Sequence, residues 1–140
     1  MSKIAVVYWS GTGNTEAMAS SVLEGAQAKG LEATLFTASE FDASKAEAFE
    51  AIAFGCPSMG SEELEGSEFA PMFESCKAKL AGKKIGLFGS YGWGDGEWMR
   101  NWEESCKSAG AVLVSEPVIC MGSPDAEASA ACKALGNALE

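Results

Sequence analysis

Five short apolar runs, the first of them rich in β-branched residues, recur along the chain at residues 4–9, 33–37, 51–56, 84–90 and 111–119. Each is strand-length and ends at a turn signal, the pattern of a buried strand. Longer stretches with helical patterning separate them, at residues 16–29, 67–80, 97–108 and 125–139, with a weaker one at 44–50. Gly30, Gly82 and Gly110 stand where helix-ending glycines are expected, and Pro124 with Asp125 opens the last helix. Strands alternating with helices predict an α/β fold: a doubly wound, five-stranded parallel sheet with helices on both faces. One domain spanning residues 1–140 is expected, since no linker, repeat or low-complexity segment interrupts the pattern.

The chemistry gathers where strands end. The first run leads into Ser10-Gly11-Thr12-Gly13-Asn14-Thr15 and then a helix. The first backbone N–H groups of a helix have no internal partners, and the helix dipole adds positive potential there, which makes an anion site. This loop holds no Lys, Arg or His, so it is not a Walker loop, and Glu16 stands where a dinucleotide fingerprint needs its third glycine. Hydroxyls, an amide and two glycines form a nest of neutral donors suited to one terminal phosphate monoester. The third run leads into Pro57-Ser58-Met59-Gly60-Ser61-Glu62-Glu63: a soft apolar side chain, a turn glycine and a carboxylate. The fourth leads into Ser90-Tyr91-Gly92-Trp93-Gly94-Asp95-Gly96, where an aromatic among glycines suits stacking on a planar ligand. Ligands in open α/β sheets bind beyond the carboxyl ends of the strands, so the three loops are expected to converge.

Three stretches carry a family resemblance over the whole chain. Residues 7–15 (Val7-Tyr8-Trp9 and the loop after it), 55–62 and 88–94 resemble the motifs of short-chain flavodoxins, in the same order. The resemblance implies the strand order 2-1-3-4-5, for which flavodoxin is itself the standard example. It implies FMN as cofactor. Ser10, Thr12, Asn14 and Thr15 would hold its phosphate, with Gly11 and Gly13 letting the backbone close in. Met59 and Trp93 would flank the isoalloxazine and Glu62 would meet the ring N3–H. Ser58, Gly60, Ser61, Ser90 and the backbone of Tyr91, Gly92 and Gly94 would complete the cofactor site. It also implies a peptide flip at Gly60 that stabilises the one-electron-reduced flavin. No strong motif anchors contacts from Met121-Gly122-Ser123.

Composition narrows the partners. Twenty acids against ten bases give a formal charge of −10, and Arg100 is the sole arginine, which argues against nucleic acid. An acidic surface favours redox partners with basic patches, reductases and oxidoreductases, steered by acids at Glu62, Glu63, Glu65, Glu68, Asp95 and Glu97. No membrane span and no signal peptide is recognised, so a cytoplasmic monomer is expected. Cys56, Cys76, Cys106, Cys120 and Cys132 are odd in number and without CxxC spacing, and no His completes a metal set; free thiols are expected.

The expected function is low-potential one-electron transfer on non-covalent FMN, cycling between semiquinone and hydroquinone, with no substrate-turnover site. A signalling receiver domain shares the topology but needs acids after the first strand and a phosphorylatable Asp after the third, where Tyr8-Trp9 and Gly55-Cys56 stand. A cysteine phosphatase needs a loop arginine. A flavin-dependent quinone or nitro reductase remains the competing class; it would need a pocket beside the flavin and a proton relay without His.

Overall fold

A computed structural model describes residues 3–60 and 62–140. The elements, in chain order, are β1 (Lys3–Tyr8), α1 (Asn14–Ala28), β2 (Glu32–Thr37), α2 (Ala43–Ala48), β3 (Ala51–Gly55), α3 (Phe69–Cys76), β4 (Lys84–Tyr91), α4 (Glu97–Ser108), β5 (Val112–Leu113), β6 (Val118–Met121) and α5 (Ala126–Ala138). The strands form a parallel sheet in the order β2-β1-β3-β4-β5, and β6 also pairs with β4. The fifth position of the sheet is therefore filled by two segments rather than by one continuous strand over 111–119. Pro117 lies in the break, where it supplies no N–H to a ladder.

Alternation along the strands splits the core in two. Ala5, Val7, Ile52, Phe54, Ile85 and Leu87 face α3 and α4; Ile4, Val6, Ala51, Ala53 and Phe88 face α1 and α5. The first face is aromatic, with Phe54 against Phe73 at 5.2 Å and Phe69 against Trp102 at 5.4 Å, both edge-on. The second is built on close approach. A Cβ at Gly25 would fall 2.1 Å from the Lys133 carbonyl oxygen, and one at Gly136 would fall 2.1 Å from that of Val22. Small residues thus let α1 and α5 touch backbone to backbone.

The turns follow local chemistry. Gly30, Gly82 and Gly110 take left-handed backbone, with φ of 78°, 75° and 86°. Asp125 caps α5, its carboxylate accepting from the Ala128 N–H at 2.8 Å. The stretch expected to be helical over 67–80 begins at Phe69 and ends in a tighter turn, Lys77–Lys79. β1, β3 and β4 all end at the same edge, where the three loops emerge.

Candidate functional site

The loops meet in a cleft of about 310 Å³ at the ends of β1, β3 and β4. Its walls are Gly11, Thr12 and Asn14 from the first loop, Ser58 and Met59 from the second, and Ser90, Tyr91 and Gly92 from the third. Trp9, Pro57 and Gly122 complete it: Pro57 opens the second loop, Gly122 belongs to the segment that no motif anchors, and Trp9 is the one that the sequence does not place in the site. Trp9 had been read as the last residue of a buried strand. Its indole instead lies over Gly11, where an added Cβ would sit 3.1 Å from the ring, and its Nε1 donates to Glu68 at 2.9 Å.

The first loop is pinned on several sides. Gly13, at φ 96°, precedes α1, and its N–H donates to Ser10 Oγ at 3.0 Å. Thr15 is buried and its hydroxyl lies 3.0 Å from that of Ser90, across 75 positions of sequence. Ser123 donates to Asn14 Oδ1 at 3.1 Å, and the Gly122 N–H donates to the Tyr91 carbonyl at 2.9 Å. The fourth loop, for which the sequence offered no motif, is therefore tied directly to the phosphate loop.

The second loop is a narrow turn. Met59 and Glu63 exchange two backbone hydrogen bonds, both 2.8 Å long. Between them Gly60 has φ 53° and Glu62 has φ 55°, so a non-glycine residue occupies the left-handed region. Ser61 lies outside the described residues. Glu62 turns toward the third loop: its Oε1 accepts from the Glu97 N–H at 3.0 Å, at the start of α4, and its carboxylate fills the space where a Gly94 Cβ would go. A carboxylate at a helix N-terminus is favoured by the dipole. Trp93 is 60% exposed and is not among the residues lining the cleft, and Met59, which lines it, is 36% exposed.

The foot of this loop is fixed by Glu65, which had been assigned to an exposed acidic rim. The structure buries it. Its carboxylate accepts from the N–H groups of Ser67, Glu68 and Phe69 at 2.9, 2.8 and 2.8 Å, and from the Ser67 hydroxyl. Burial alone would raise its pKa; the Ser67 hydroxyl and the three backbone donors outweigh that and hold it at about 2. Its own N–H donates to Cys56 Sγ. Burial pushes the Cys56, Cys106 and Cys132 thiols up to about 12, so these are apolar core groups rather than nucleophiles.

The cleft fits a flat ligand with a phosphate tail. One end offers neutral donors at a helix start; the other offers Met59 and Tyr91 beside the backbone of the third loop. Gly92 has no atom within 4 Å of where a Cβ would be, so that backbone is open to a ligand.

The flavodoxin family profile matches residues 6–135. The chain belongs to the flavodoxin family. It is 42% identical to a flavodoxin of Clostridium beijerinckii over 132 residues, covering 94% of this chain and 95% of that one. It is 41% identical to a flavodoxin of Megasphaera elsdenii over 135 residues, covering 96% of each. The fold is similar to the solution structure of two-electron reduced Megasphaera elsdenii flavodoxin, with TM-score 0.89, 43% identity and 97% of each chain covered. Flavodoxins carry electrons on FMN. Among the described residues, no helix is long and apolar enough to cross a membrane.

Proposed function

We propose that this flavodoxin binds one FMN and serves as a low-potential one-electron carrier in the cytoplasm, cycling between semiquinone and hydroquinone. On this reading it is a monomer without a substrate-turnover site, and it exchanges electrons with reductases and oxidoreductases that carry basic patches. The observation that carries the proposal is the single cleft into which phosphate-type donors, a thioether and aromatic groups converge from four loops.

When bound, the flavin supplies redox chemistry that no side chain of this chain provides. The chain's own contribution is to hold and tune it. Ser10, Thr12, Asn14 and the first N–H groups of α1 receive the phosphate, without a cation. The Thr15–Ser90 contact fixes that nest to the end of β4. Met59 and Trp93 would flank the ring, and Gly60, already in left-handed backbone, would be free to turn its peptide toward it. Glu62 would accept from a ring N–H while still capping α4, since a carboxylate has acceptor capacity for both. The carboxylates around the ring, in a protein of charge −10, disfavour further negative charge there.

Acid release of the bound pigment, followed by chromatography, tests the reading. FMN alone is expected. FAD, or a colourless protein that takes up no FMN, contradicts it. Rapid NADPH oxidation by the purified chain without a reductase would instead favour an enzyme.

A further inference from the structure

Glu68 stands at the N-cap of α3, yet its side chain caps nothing there. Glu65 serves the helix instead, its carboxylate accepting from the N–H groups of Ser67, Glu68 and Phe69. The Glu68 backbone is thereby held in place. Its own carboxylate is left free to reach across 59 positions of sequence and accept from the Trp9 Nε1 at 2.9 Å. Capping residues ordinarily bond their own helix, so this one is turned to another use.

Trp9 is half-buried and borders two cavities. One is the flavin cleft. The other, of about 250 Å³, is lined by Tyr8, Glu16, Thr37 and Ser39 with Glu68 at its wall. The indole also lies against the phosphate loop: a Cβ at Gly11 would come within 3.1 and 3.2 Å of two of its ring carbons. Gly11 is not in left-handed backbone, so the ring, not the turn, asks for a glycine there. The Glu68 bond holds the indole against that loop. Without the bond, the second cavity gives the ring somewhere else to go.

We propose that Glu68 is a positioning residue: through the Trp9 indole it latches the phosphate loop and sets how slowly FMN leaves. The proposal rests on the FMN reading and adds to it a control on residence time. Hydrogen bonds to an anion strengthen as water is excluded from them, and the indole covers the loop backbone at Gly11. Charge alone predicts the opposite sign. A carboxylate beside an anion site repels the phosphate, so its removal would hold FMN longer if repulsion were all it did. The latch predicts faster release.

The test follows FMN leaving the loaded protein, by the rise of free-flavin fluorescence on dilution. Glu68→Ala should release FMN about three- to tenfold faster, the size of one lost hydrogen bond. Glu68→Gln removes the charge but keeps an acceptor oxygen, and should release it no faster than the unaltered protein. Trp9→Phe keeps a ring and loses the donor; adding Glu68→Ala to it should change release less than about 1.5-fold. In the loaded protein labelled with ¹⁵N at tryptophan, the Trp9 indole signal should move in Glu68→Ala and stay near its place in Glu68→Gln. Riboflavin, which lacks the phosphate, should bind the unaltered and Glu68→Ala proteins alike. Slower or unchanged release from Glu68→Ala overturns the proposal, as does equally fast release from Glu68→Gln. Independent effects in the double variant, an unmoved indole signal or an equal loss of riboflavin overturn it too. A protein that takes up no FMN defeats the carrier reading itself; one that holds FMN regardless of Glu68 defeats the latch alone.

Discussion

The phosphate loop and the Met59 turn border the same cleft and are built in opposite ways. Residues 10–15 are tied outward, Thr15 to β4 and Asn14 to the 121–123 loop, with one bond inside the loop from the Gly13 N–H to Ser10. The Met59 turn is closed mainly on itself, by the two bonds between Met59 and Glu63, with two left-handed residues inside it. Its ties outward are the Ser58 N–H to the Ser90 carbonyl and Glu62 to the start of α4. The difference matches what each would hold. A phosphate keeps its charge and its acceptors through a redox cycle, so fixed donors serve it best. A flavin ring gains electrons and protons at its edge, and the backbone beside it must be free to answer. On the proposed reading, fixed donors would serve the constant phosphate, and a turn tied less to its surroundings would serve the ring edge that changes.

Acid should separate the two regions most strongly. The Met59 turn stands on Glu65, whose folded-state pKa lies at about 2 against an ordinary 4.5. A depressed carboxylate stabilises the fold fully above its unfolded value and loses that contribution as pH falls through its folded value. Stability and order around residues 57–69 should therefore decline between about pH 4.5 and 2, while the hydroxyl and amide ties of residues 10–15 do not titrate. Hydrogen exchange and urea unfolding across that range check this. Glu65→Gln should remove most of the pH dependence, and Glu65→Ala should cost about 1–3 kcal/mol by stranding buried donors. Loss of both loops together at each pH would erase the distinction.

Asn14→Ala addresses the fixed side. Losing a hydrogen bond to a charged group is worth about 1.5–3 kcal/mol, so FMN affinity should fall roughly 10- to 150-fold. The two flavin potentials should barely move. Gly60→Ala addresses the mobile side. A left-handed backbone costs a non-glycine residue about 1–2 kcal/mol, so the stability of the one-electron state should drop roughly 5- to 30-fold, with affinity for oxidised FMN nearly unchanged. If Asn14→Ala shifts potentials and Gly60→Ala shifts affinity, the assignment of roles is reversed. Trp93→Ala should weaken FMN about three- to twelvefold, the loss of a stacking contact, and should remove the tryptophan emission that FMN quenches at Trp93 in the unaltered holoprotein. The smallest effect is expected from salt. Electron transfer to a basic partner should slow a few-fold between about 0.05 and 0.5 M, as the screening length contracts below ~10 Å.

Periodicity made the elements legible, down to α4 over Glu97–Ser108. It did not reveal the break between β5 and β6, because the residues on either side are as apolar as those of a continuous strand and only Pro117 hinted at it. In the site, Gly11, Thr12, Asn14, Ser58, Met59, Ser90, Tyr91 and Gly92 line one cleft, whereas Ser10, Gly13, Thr15, Gly60, Glu62, Trp93 and Gly94 are not among its lining residues. Trp9 was missed because an apolar residue ending an apolar strand looks like core; the signal was its position one residue before the loop. Glu65 reads as surface charge because composition cannot show that a carboxylate folds under the first turn of a helix; Glu68 is exposed as read and also accepts from the Trp9 indole. Gly122 and Ser123 join the site through contacts 109 positions apart in one case, which no local pattern encodes.

The central claim, a fixed phosphate grip beside a turn that favours the one-electron state, is tested most directly by following the visible spectrum during stepwise anaerobic reduction of the purified protein. A blue neutral semiquinone should accumulate near the midpoint in the unaltered protein, and its yield should fall from Gly60 through Gly60→Ala to Gly60→Thr. Direct passage from yellow to the fully reduced form, with no blue species, would contradict the account.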